Sequence, residues 1–306
     1  MPETLERPSP APDAPARTAL AARRDLLTGW IARAAPAAGV HWLAEAIAAA
    51  RAGGDQRALA IAFGLCPRRL GRDALALAAA DLAAAERVRP GFDPRGLAVD
   101  EAGRIALLLA AAEAPGFPER LEALAATADL KENIAVLRAL PLLPAPERLL
   151  AVAGGGVRSA VQPVFEAIAH RNPLPRERFD EPAWNQMVLK ALFIGATLAP
   201  IQGLDARANP TLAAIMVDYA HERWAAGRPI TPEIWRCVGP FADARAVADL
   251  GRVLATGTPP ERLAAALALS QAPGEAARAA LAAAPDLAAA AAAGRLAWTD
   301  GGAALA

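Results

Sequence analysis

From Thr18 onward apolar residues recur three and four positions apart, and no stretch alternates with period two, so the pattern predicts helices throughout. Expected helices of about 10 to 18 residues are separated by short punctuation such as Gly53-Gly54, Pro67, Arg89-Pro-Gly, Pro115-Gly, Gly154-Gly-Gly, Pro259-Pro260 and Pro273-Gly. Connections this short make successive helices antiparallel. Some starts are written explicitly. Asp129 with Glu132, and Thr258-Pro-Pro-Glu261, have the spacing of capping boxes, the second with proline at the first helical position.

The segment Ile134-Ala-Val-Leu-Arg-Ala-Leu-Pro-Leu-Leu-Pro144 is echoed by Leu263-Ala-Ala-Ala-Leu-Ala-Leu-Ser-Gln-Ala-Pro273. Each is an apolar helix closed by proline and followed by a Glu-containing start. Repetition of this kind predicts an all-α fold of stacked antiparallel helix pairs, an α-solenoid of HEAT type, with a helical bundle as the alternative. The expected organisation is a disordered tail over 1–17, an N-terminal helical region over 18–160, a distinctive region over 161–241, and HEAT-like helices over 242–306.

Composition narrows the function. Lysine plus arginine and aspartate plus glutamate are 32 each, which leaves no global field to gather nucleic acid or an anionic membrane. The longest apolar runs, such as Ile105 to Ala112, fall far short of the ~20 residues that span a bilayer. The opening MPETLERPSPAPDAPAR has no apolar core of a secretory signal and reads as a proline-rich tail. A cytoplasmic location is therefore expected. Cys66 and Cys237 lack neighbours at metal-ligand spacing and read as small core hydrophobes.

Residues 170–241 break the alanine background. They hold His170 and His221, Asn172, Asn185 and Asn209, Trp184, Trp224 and Trp235, the single tyrosine Tyr219, and Lys190. A helical scaffold does not need these side chains; orienting a polar ligand does. Asp180 suits the cap of a helix through Trp184–Phe193, with Pro182 in its first turn, and Asn209-Pro210 repeats the same grammar. Between them runs an irregular loop with Asp205 and Arg207, which are placed either to pair with each other or to meet a ligand. Asp218 shares a helical face with His221 and Glu222. Lys190, among Val188, Leu189 and Leu192, either snorkels along an apolar face or is buried as a usable base or nucleophile.

Several sharper motifs fail. His221-Glu-Arg-Trp224 begins like a zincin helix, but Ala225 stands where the second histidine belongs. Histidines at 41, 170 and 221 do not make a zinc set, and no metal or cofactor is expected. Gly154-Gly-Gly has no following Lys-Ser/Thr and is not a phosphate loop.

The segments His170-Arg-Asn-Pro173, Phe179-Asp-Glu181, Trp184-Asn-Gln-Met-Val-Leu-Lys-Ala-Leu-Phe193, Gly203-Leu-Asp-Ala-Arg-Ala-Asn-Pro210, Asp218-Tyr-Ala-His-Glu-Arg-Trp-Ala-Ala-Gly-Arg228 and Trp235-Arg-Cys-Val-Gly-Pro-Phe241 resemble the signature of the EboA family. The likeness is dense over residues 170–241; elsewhere it amounts to helicity. It implies a bacterial gene cluster of secondary metabolism and metabolite traffic, whose companions suggest a cyclitol-like product. It carries over no catalytic residue.

The leading expectation is a protein that binds a small polar cyclitol- or sugar-like metabolite through Asp180, Trp184, Asn185, Lys190, Asp205, Arg207, Asn209, His221 and Glu222. Carboxylates and amides suit hydroxyl groups, Arg207 and Lys190 suit an anion, and a tryptophan can cover a ring. One alternative is a transferase or lyase with His221, Glu222 and Lys190 as catalytic candidates. Another is a scaffold that docks other proteins of the same cluster.

Overall fold

A computed structural model describes residues 9–53, 55–299 and 302–305. It is 71% helical with 17 α-helices among the described residues, so the all-α expectation holds. The chain divides into two bodies at Arg178/Phe179.

The first body comprises α1 (Ala14–Ala34), α2 (Ala37–Arg51), α3 (Gln56–Leu70), α4 (Ala79–Val88), α5 (Val99–Ala111), α6 (Phe117–Thr127), α7 (Leu130–Ala139), α8 (Leu150–Arg158), α9 (Gln162–Ala169) and α10 (Leu174–Arg178). Its organiser is α5, in which every residue is buried. A helix apolar almost all round has no solvent face to present and belongs at a centre. Accordingly α1, α2, α3 and α7 all pack on it. In a solenoid each repeat touches only its neighbours. This body is instead a bundle around a central helix, and the solenoid expectation gives way to its alternative here.

The first turns of α5 bring charge into that core. Arg104 donates to Asp100 at 2.7 Å and to the Phe63 carbonyl at 3.1 Å. Glu101 accepts from Arg138 of α7 at 3.0 Å. Buried ionic groups persist when their partners are at hydrogen-bonding distance, as these are.

The expected tail is shorter than 17 residues. Asp13 caps α1 by accepting from the Ala16 amide at 2.9 Å. Ser9 is buried, donates its hydroxyl to Glu119 at 2.6 Å, and accepts from Arg148. Residues 1–8 of that expectation lie outside the described residues.

The second body comprises α11 (Glu181–Ile194), α12 (Pro210–Ala225), α13 (Trp235–Val238), α14 (Ala244–Thr256), α15 (Pro259–Gln271), α16 (Glu275–Ala282), α17 (Pro285–Ala292) and a hairpin of β1 (Leu296–Thr299) and β2 (Gly302–Leu305). The antiparallel register pairs Leu296 with Leu305. The hairpin corrects the expectation of helices to the end of the chain. Here α15 is the organiser, buried from Ala264 to Leu269 and packed by α13, α14, α16, α17 and the hairpin. Glu261 accepts from the Thr258 amide at 2.8 Å, as the Thr-Pro-Pro-Glu spacing predicted.

Candidate functional site

The second body places two capped helix starts next to one arginine. Asp180 caps α11 by accepting from the Ala183 amide at 2.9 Å, and Asn209 caps α12 by accepting from the Leu212 amide at 2.8 Å. Their proximity is fixed by an amide pair. Asn185 donates to Asn209 at 3.2 Å, and Asn209 donates back at 2.9 Å. Beside this pair the Arg207 guanidinium lies 4.7 Å from the ring centroid of Trp184, which is fully buried. The Trp184 indole N–H has no hydrogen-bond partner among the described residues. Burial lowers the Arg207 pKa from its ordinary range, while the nearby carboxylates of Asp180 and Glu181 work against that shift. Arg207 therefore sits in a partly desolvated, electrostatically framed corner, where a contact to an anion is worth more than in water.

Five expected site residues thus meet: Asp180, Trp184, Asn185, Arg207 and Asn209. Their roles differ. Asp180 is spent on its cap, and the two asparagines largely satisfy each other, so these three hold the corner in shape.

The remaining expected residues go elsewhere. Asp205 does not pair with Arg207; it takes a bidentate contact from Arg236 at 2.5 and 2.7 Å. That hydrogen bonding raises the Arg236 pKa. His221 does not face Asp218. Its Nε2 lies 2.6 Å from Asp249 of α14, while Asp218 pairs with Arg245 at 2.8 Å. Around His221 a second cluster forms. Arg252 sits 4.0 Å over the Trp224 ring and donates to Asp249 at 3.2 Å, and Trp224 lies 6.0 Å from Trp235. Glu222 is exposed, and Lys190 is half-buried on α11.

Three functional-looking partners escaped the sequence reading. Asp249 lies on the apolar stripe of α14 between Ala246, Leu250 and Val253, an anomaly that helical spacing alone reveals. Arg236 gives no such signal. Glu233 is buried and accepts from the Leu198 and Ala199 amides at 3.0 Å each, tying the beginning of the loop after α11 to the turn before α13.

The arrangement supports two kinds of chemistry. The Trp184–Arg207 corner can hold a planar or tetrahedral oxyanion. The half-exposed His221, oriented by Asp249, has the form of an acid–base pair.

No curated protein and no solved structure matches the chain. A family model described as metabolite traffic protein EboA matches residues 23–239, which reaches well beyond the 170–241 signature into the first helices of the first body. With that match running over most of its length, the chain belongs to the EboA family.

Proposed function

We propose that this protein binds a small polar metabolite at the Trp184–Arg207 corner and hands it to other proteins of its gene cluster in the cytoplasm. The family description supports traffic of a metabolite. The observation that carries the choice of place is the Arg207 guanidinium held 4.7 Å over the buried Trp184 ring beside the starts of two capped helices. A guanidinium stacked on an aromatic face keeps its full positive charge, and the helix starts add favourable potential for negative charge. A cyclitol- or sugar-like ligand bearing a phosphate or carboxylate is the class that suits one cation beside an aromatic wall.

Isothermal titration calorimetry of the full chain against small polyols, sugars and their phosphates tests this. Arg207→Ala is expected to weaken an anionic binder by about 10- to 150-fold, a charge-assisted contact of roughly 1.5 to 3 kcal/mol. Unchanged affinity in a folded variant would contradict the anion corner.

A second reading, catalysis on the same metabolite, is favoured by the 2.6 Å contact of His221 with Asp249. Turnover by the wild type that is lost in His221→Gln supports it; binding without turnover in both proteins removes it.

A further inference from the structure

His170-Arg-Asn-Pro173 belongs to the distinctive segment, yet these residues lie in the first body and take no part in the corner described above. His170, Arg171 and Asn172 line a polar cleft with Phe92, Asp93, Arg138 and Glu166. Asn172 explains itself structurally. It is buried, donates to the Leu137 and Ala167 carbonyls at 3.2 and 3.1 Å, and accepts from the Leu174 amide at 3.0 Å. Arg171 does not explain itself so easily.

The donors and acceptors of the cleft do not balance. Asp93 is consumed by Arg95, whose Nε approaches both its oxygens at 2.8 and 3.0 Å and whose Nη2 lies 2.5 Å from Oδ2. Burial pushes the Asp93 carboxyl up, but these hydrogen bonds and the charges of Arg95 and Arg171 hold it below the usual range, so it stays an anion already matched. Among the described residues Arg138 donates through Nη1 alone, to both oxygens of Glu101 at 3.0 Å and to the Gly96 carbonyl at 3.5 Å. Arg171 makes an ion pair through Nε at 3.7 Å from Asp93, too long for a hydrogen bond, and donates no hydrogen bond among the described residues. On the acceptor side, Glu166 already has one oxygen engaged by Gln162 at 2.7 Å. Arg171 and the Nη2 of Arg138 thus offer guanidinium N–H groups at the cleft that no acceptor among the described residues engages.

The backbone carries a second sign. Arg171 has φ of +51°, in the left-handed region that glycine occupies without penalty and a long side chain does not. Residues held there concentrate at functional positions. A glycine would adopt this turn without that penalty.

We infer that this cleft is an oxyanion site, in which Arg171 and Arg138 receive the phosphate or carboxylate group of a small molecule. Two guanidinium groups converging on one cleft match such groups better than any neutral ligand, because both offer donors and no acceptor. The site is separate from the Arg207 corner and stands or falls independently of it.

The test uses full-length Arg207→Ala protein, which removes the other anion corner, titrated calorimetrically with inorganic phosphate and separately with acetate. Chloride at equal ionic strength is the reference. The same titrations are run with Arg171→Gly added. Phosphate binding above the chloride reference, weakened roughly tenfold or more by Arg171→Gly, is the expected result. Stronger binding of phosphate identifies a phosphorylated ligand; stronger binding of acetate identifies a carboxylate. The melting temperature of Arg171→Gly is expected to be unchanged or higher, since glycine accepts the left-handed backbone. A lower melting temperature with unaltered anion binding would show that Arg171 only braces Asp93, and would overturn the proposal. No binding of either anion above the chloride reference would overturn it too.

Discussion

The two bodies are built around helices of opposite character, and the contrast shows what buried polarity means in each. In the first body the central α5 carries Asp100, Glu101 and Arg104 into the core, each matched at hydrogen-bonding distance. In the second, the central α15 is buried over Ala264–Leu269 with no charged residue among them. The second body's polar side chains gather around its other elements: at the starts of α11 and α12, at Glu233 before α13, and at Asp249 on α14. Charge in the first core is closed on itself and is structural. Polar groups beside helix starts lie in the favourable potential of the helix N-termini, which suits an anionic ligand.

The largest expected effect breaks the first core through its charge. Arg104→Ala strands Asp100 and the Phe63 carbonyl, and should cost about 3 to 5 kcal/mol in denaturant unfolding. Replacing the pair together, as Arg104→Met with Asp100→Leu, should recover part of that loss, because no carboxylate is left unpaired, while the Phe63 carbonyl still lacks its donor. A single-variant cost below ~1 kcal/mol would mean the pair is solvated, contrary to its burial.

A smaller effect compares how closely each central helix is approached. A Cβ on Gly239 would lie 2.9 Å from the Ala268 carbonyl oxygen and 3.0 Å from its Cα, so the backbone of α15 has to shift. Gly239→Ala should cost about 1 to 3 kcal/mol by overpacking. On α5 a Cβ at Gly103 meets Cδ1 of Leu70, the end of a rotatable side chain. Gly103→Ala should cost less, since rotation of Leu70 and the ~1 kcal/mol helix preference of alanine over glycine offset the clash. Melting curves for the two variants compare these directly, and a greater loss at Gly103 would reverse the ranking.

The smallest effect is a silence. Burial pushes the thiols of Cys66 and Cys237 up to about 12, so neither should react with a thiol reagent in the native state at neutral pH. Cys66 belongs to the first body and Cys237 to the second. As denaturant is added, mass spectrometry of the labelled positions should report the opening of each body separately. Fast labelling of either thiol without denaturant would show that its core opens.

Local structure was legible in the sequence; long-range partnership was not. Asp129 and Glu132 close their capping box at 2.8 and 3.0 Å, and Asp180 and Asn209 cap the helices their positions predicted, because a cap is decided within three residues. The same local logic sets Asp218 beside His221 and offers Asp205 to Arg207 as one of two alternatives, and neither pair forms in the fold. The true partners, Asp249 and Arg236, lie 28 and 31 residues along the chain, where only tertiary packing brings them into reach. The central role of α5 had a signal in the unbroken apolar run from Ile105 to Ala112, too short for a membrane but long enough to be enclosed. The closing hairpin had a weaker one. Leu296-Ala-Trp-Thr is brief, and alanine-rich sequence on both sides favours helix in a windowed reading.

The central claim, that Arg207 and Trp184 hold a small polar metabolite, is tested most directly by native mass spectrometry of protein purified gently from cells that carry its gene cluster. Wild type, Arg207→Ala and Arg245→Ala are compared, the last removing an exposed ion pair with Asp218 that has no part in the corner. The account predicts a small-molecule mass bound to wild type and Arg245→Ala and absent from Arg207→Ala, with all three melting within a few degrees of one another (the stacked contact is worth about 1 kcal/mol). The same bound mass at the same occupancy in Arg207→Ala would contradict it.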